Sequence, residues 1–156
     1  MLIDKIFFDD SLVGQGWHEP EFTAGNQVDS IAYRWMPSGK AISIETVSSN
    51  KNLVIRCSFL SVVDNRLLKI MKIKFGGYQC QFRLLPQSPE IIGRTIEVFV
   101  PKANEHKNSI TFFVPAQIFS SNEDQRPLAL AMYNVEVIEA NDTDVSNFLY
   151  QGGVYS

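Results

Sequence analysis

The stretch Gly16-Trp17-His18-Glu19-Pro20-Glu21 gathers the densest chemistry in the chain, setting one of two tryptophans beside one of two histidines. Three chemistries use such residues. A histidine beside a carboxylate acts as a general base, and His18 has Glu19 and Glu21 within reach along the chain. Two carboxylates across a bound sugar hydrolyse glycosides, with Glu19, Glu21 and Asp124 as candidates. A tryptophan among carboxylates and arginines binds a sugar without reacting, its ring stacked on the pyranose C–H face.

The first two demand partners that the sequence does not supply. Cys57 and Cys80 lie in apolar alternating segments, and no Gly-x-Ser-x-Gly elbow occurs. His106 falls in the polar stretch Lys102–Asn108, which reads as a solvated connection between strands. Two histidines so far apart lack the close pairing of zinc ligands. A calcium held by Asp9-Asp10 or by Asn122-Glu123-Asp124 is the metal chemistry that remains, and neither a metal nor a cofactor is expected. No residue is assigned a catalytic role.

Sugar binding asks less. Aromatic and polar loops on a rigid scaffold suffice, and Gly14–Glu21 and Asn122–Arg126 both have that make-up. Each residue also has a structural alternative. Trp17 is then a buried anchor, and the loop carboxylates hold Arg34 or Arg126 by bidentate pairs.

The elements that must position these residues read as strands. Leu53, Ile55, Cys57 and Phe59 alternate with Arg56 and Ser58, the period-two pattern of a half-buried strand. The same pattern puts Ile31, Tyr33 and Trp35 on one face over 30–36, and Ile42 and Ile44 over 40–47. It continues with Ile96, Val98 and Val100 over 94–100, and Ile110, Phe112 and Val114 over 108–115. Leu128–Ile138 is long enough for one central strand or for two joined by a bulge. Gly76-Gly77, between the alternating segments Lys69–Phe75 and Tyr78–Leu84, suits a tight hairpin, because glycine accepts positive φ. Lacking any capped helical stripe, the chain reads as all-β, a two-sheet antiparallel jelly-roll β-sandwich over residues 1–140. Residues 141–156 read as a C-terminal tail, loosely docked through Phe148, Leu149 and Tyr150.

Composition narrows the partners. A net charge of −3 argues against a nucleic-acid binder. The cations of Arg66–Lys74 alternate with aliphatics and read as the wet face of a strand. No apolar run is long enough to insert into a membrane. The first residues lack the pattern of a signal peptide, and with two isolated cysteines this points to free thiols, with a Cys57–Cys80 disulfide as the alternative, and to a cytoplasmic setting.

Five short segments together carry a resemblance. Gly16–Glu21, then Tyr33-Arg34-Trp35-Met36, then Ala41-Ile42-Ser43-Ile44 resemble the opening of a β-sandwich accessory domain found attached to, or encoded beside, bacterial glycosyltransferases. Phe113-Val114-Pro115-Ala116 and Asp124-Gln125-Arg126-Pro127-Leu128-Ala129 look like its closing pattern, with Ala129 in place of a usual glycine. The resemblance spans residues 14–140 and implies a carbohydrate-binding-like jelly roll without catalytic apparatus. It marks Trp17, Glu21, Arg34, Trp35, Asp124 and Arg126, with His18 beside them, as ligand-binding or loop-fastening residues. A saccharide and a glycosyltransferase are the partners it implies. The alternatives are a protein-interaction or oligomerisation sandwich and, behind it, a small jelly-roll hydrolase using His18.

Overall fold

The computed structural model describes residues 1–23, 30–47, 51–62, 66–76, 78–87, 89, 93–101, 109–115, 128–141 and 154–155. Among them the chain is all-β, in two antiparallel sheets that share one core. The larger sheet runs in the order β13 (Val154–Tyr155), β9 (Phe82–Leu84), β10 (Arg94–Val100), β6 (Leu53–Val62), β12 (Leu128–Glu139), β4 (Ala32–Pro37) and β3 (Glu21–Phe22). A further strand, β1 (Leu2–Phe7), also pairs with β12. The smaller sheet runs β2 (Gly14–Gln15), β5 (Ala41–Glu45), β11 (Ser109–Phe113), β7 (Lys72–Phe75) and β8 (Tyr78–Gln79).

Alternation builds the core. Leu53, Ile55, Cys57 and Phe59 of β6 and Ile96 and Val98 of β10 face Ile42, Ile44, Ile73, Ile110 and Phe112 of the smaller sheet, all of them buried. Cys57 and Cys80 are buried free thiols. Loss of solvation pushes the Cys57 thiol pKa upward and raises that of Cys80 to about 11, so both stay protonated.

Several expectations need correction. On β4 it is Met36 that is fully buried, whereas Tyr33 and Trp35 are only half-buried. Arg66–Lys74 is not one strand: Leu67–Ile70 forms a helical turn with Leu67 and Leu68 inside, and only Lys72 and Lys74 lie on the wet face of β7. β7 and β8 pair across the expected turn, with Phe75 opposite Tyr78 and Gly76 at φ +60°, while Gly77 lies outside the described residues. The expected second arm splits, however, since β8 stays in the smaller sheet while β9 joins the larger one. Within the expected tail, Val154–Tyr155 pairs with β9.

Two features of the larger sheet matter below. Its outer face carries a transverse row of alternating charge, Arg83–Glu97–Arg56–Glu136–Lys5, in register across β9, β10, β6, β12 and β1. The second feature is a shared edge. One side of β12 lies along β6; the other is taken first by β4, up to Met132 opposite Arg34, and then by β1, from Asn134 opposite Phe7. Beyond Arg34, Tyr33 and Ala32 pair with β3 on the far edge of β4, and the ladder to β12 ends at Met132. A gap lined by Phe7, Ile31, Ala32, Tyr133 and Asn134 lies where β4 gives way to β1.

Candidate functional site

The Gly16–Glu21 stretch is laid along the sandwich by its glycines. Gly14 and Gln15 pair with Ile44 and Ser43 of β5, and Gly16 then takes φ +92°. A Cβ at Gly16 would meet Ile42 Cδ1 at 2.6 Å, so a side chain there needs both strain and displacement. The chain thus turns Trp17 inward. The indole Nε1–H donates to the Ser43 carbonyl at 3.0 Å. Its ring meets Phe8 edge-on at 5.1 Å and Phe112 at 6.4 Å, packed against the core. That is the geometry of an anchor.

The neighbouring residues fasten this stretch to β4. The His18 N–H donates to the Trp35 carbonyl at 3.1 Å. Arg34 spreads its guanidinium over three carbonyls, donating from Nε to Phe8 at 3.3 Å, from Nη1 to His18 at 3.3 Å and from Nη2 to Asp9 at 2.8 Å. The partners described for Arg34 are thus backbone oxygens rather than the carboxylate expected from the sequence. Glu21 lies opposite Tyr33, whose hydroxyl is 3.5 Å from Glu21 Oε1. Trp35 lies opposite Ala131 on β12. Trp17, His18, Glu21, Arg34 and Trp35 therefore do come together, as a clasp. Asp124 and Arg126 lie outside the described residues, as do His106 and Asn122-Glu123-Asp124.

Replacing Arg34 by leucine leaves three carbonyls without these donors. We expect a loss of about 2 kcal/mol in urea unfolding, with faster amide exchange across residues 8–18. Arg34→Lys recovers little of it, because a point charge cannot span three acceptors.

The open site is elsewhere, in the gap beside Tyr133. A cleft of about 560 Å³ lies there, within the range of small-ligand sites. Phe7, Phe22 and Tyr133 supply aromatic wall, Asp9 and Asp10 supply carboxylate acceptors, and Asn134 completes the lining. Phe7 is 52% exposed. Lys5 Nζ stands 5.5 Å from the Phe7 ring centroid, over its face. Asn134 keeps its Oδ1 buried with no hydrogen-bond partner among the described residues. Asp9 Oδ1 accepts from the Ser11 N–H at 2.8 Å and from its hydroxyl at 2.5 Å. These bonds, with a smaller contribution from the Arg34 charge, hold the Asp9 carboxyl below its ordinary pKa. Arg34 braces this wall from behind through the Phe8 and Asp9 carbonyls.

His18 is not on the cleft wall, and its Nε2 is buried. Among the described residues, no three His, Cys, Asp or Glu side chains lie close enough together to share a metal. Likewise, no helix among them is long and apolar enough to cross a membrane. The sequence did carry one signal for the cleft, in the rings of Phe7-Phe8 directly before the carboxylates of Asp9-Asp10. Comparison with family models, curated proteins and solved structures finds no match to this chain.

Proposed function

We propose that this chain is a non-catalytic carbohydrate-binding module, an accessory domain of bacterial glycan or surface-polysaccharide synthesis, and that its saccharide seats in the cleft beside Tyr133. The observation that carries the reading is the make-up of the cleft. An exposed ring at Phe7 and carboxylate acceptors at Asp9 and Asp10 suit a ligand with one apolar face and many hydroxyls. The link to a glycosyltransferase rests on the sequence resemblance over residues 14–140 alone.

A glycan array followed by calorimetry tests the proposal. Binding to at least one saccharide is expected, with Phe7→Ala weakening it by about tenfold through loss of the stacking ring. No saccharide bound, or affinity untouched by both Phe7→Ala and Asn134→Ala, would overturn it.

One observation favours docking of a protein instead. β1 pairs only with β12 among the described residues, and Leu2 and Phe7 are exposed along it. A silent array, together with light scattering that shows a larger assembly broken by Phe7→Ala, would favour that reading.

A further inference from the structure

The hydrogen-bonding capacity of the cleft is lopsided, and this bears on which sugar it takes. The Phe8 and Asp9 carbonyls are engaged by Arg34, and the charged groups of the lining are the side chains of Lys5, Asp9 and Asp10. Asp9 has one carboxylate oxygen tied to Ser11, while Asp10 is exposed and Asn134 Oδ1 is buried with no partner described. Two carboxylates against the one ammonium of Lys5 leave the lining with a net negative charge.

The Lys5 ammonium stands 5.5 Å from the Phe7 centroid over one ring face, so a sugar amine is received at the carboxylates and not at that face. Hydroxyls alone would satisfy the acceptors only as neutral donors. An ammonium group offers three N–H donors and a charge matched to the carboxylates, giving the shorter and stronger class of hydrogen bond.

Resting on the saccharide reading above, we infer that the cleft selects a sugar unit bearing a protonated amine over neutral and acidic sugars. Asp10 is the exposed carboxylate placed to receive it, and the exposed ring of Phe7 stacks on the sugar.

The test compares three tetrasaccharides of one linkage by calorimetry: β-1,4-linked glucosamine, its fully N-acetylated form, and the glucose equivalent. The amine form is expected to bind about tenfold tighter than either of the others, the gain of one charge-assisted contact. Asp10→Asn should bring the three to within about threefold of one another. Glu45→Gln removes the same charge from an exposed position on the smaller sheet and should leave the preference intact. That control separates a site from general attraction of a polycation to an acidic protein. Equal or weaker binding of the amine form, or a preference abolished equally by Glu45→Gln, would overturn the inference. Neutral sugars bound without any gain from the amine leave the glycan reading standing, whereas silence across every saccharide overturns both.

Discussion

Trp17→Ala is expected to cost about 3 kcal/mol of folding stability. The figure sits at the low end for a large aromatic because the ring is half-buried. The loss has two parts. The edge-on contacts with Phe8 and Phe112 vanish, and the Ser43 carbonyl loses the indole donor. Trp17→Phe keeps most of the packing and removes the donor, so it should cost only about 1 kcal/mol. Urea unfolding of the three proteins measures both parts. Saccharide affinity of the folded fraction should change little in either variant, because Trp17 is not on the cleft wall. The reverse result, stability kept and binding abolished, would return Trp17 to the role of a stacking platform.

The second large effect is expected at Glu97. Its side chain is only 7% exposed, yet it lies on the outer face of the sheet between two arginines. Each carboxylate oxygen serves one of them. Oε2 accepts from Arg56 Nη2 at 2.8 Å and Nε at 3.2 Å, and Oε1 accepts from Arg83 Nη2 at 2.6 Å and Nε at 2.9 Å. Glu97→Ala removes the acceptor from both and leaves two cations facing one another across β10. We expect a loss of about 3 kcal/mol. The arginines should differ. Arg83, at 16% exposure, is less able than Arg56, at 39%, to turn into water when its partner is removed. Arg83→Ala should therefore destabilise more than Arg56→Ala, whose longer 3.8 Å contact with Glu136 is also screened by salt. Equal losses for all three variants in denaturant unfolding would contradict this ordering.

Most of the sandwich was legible because its strands obey a period of two and bury one side. β5 and β11 follow that rule in their burial, whereas the central β6, β10 and β12 keep the apolar alternation but also bury outward residues such as Ser58, Thr95 and Glu97. β1 hides from it. A register shift between Leu2 and Asp4 puts its two core-packed residues, Ile3 and Ile6, three positions apart, which no alternation reports. The split between β8 and β9 is hidden for the opposite reason. Phe75, Cys80 and Phe82 are all buried, so inward burial continues as the chain passes from one sheet to the other, and nothing in the pattern marks the change. On β4 the alternating residues Ile31, Tyr33 and Trp35 are half-buried, and the residue fully inside is Met36, which no alternation singles out.

The candidate site divides in the same way. Residues 16–21 and the Arg34-Trp35 pair were readable as a unit, because their chemistry is concentrated and their spacing short. What the unit does, clasping a turn, depends on carbonyls that no side-chain pattern reveals. The cleft was harder still. Its walls come from β1 with the turn after it, from the β3–β4 region and from the middle of β12, and they meet only once strand order is known.

The junction at Tyr133 also separates two things that most binding sites entangle. The β6 ladder steps from Met132 to Asn134, and the opposite edge changes partner at the same point. The ladders on both sides of β12 are thus interrupted at Tyr133, and the registers that align the strands do not run through it. In a designed library, substitutions here and at Phe22 would probe the proposed saccharide cleft while the folding code, written in the alternating strands on either side, stays constant.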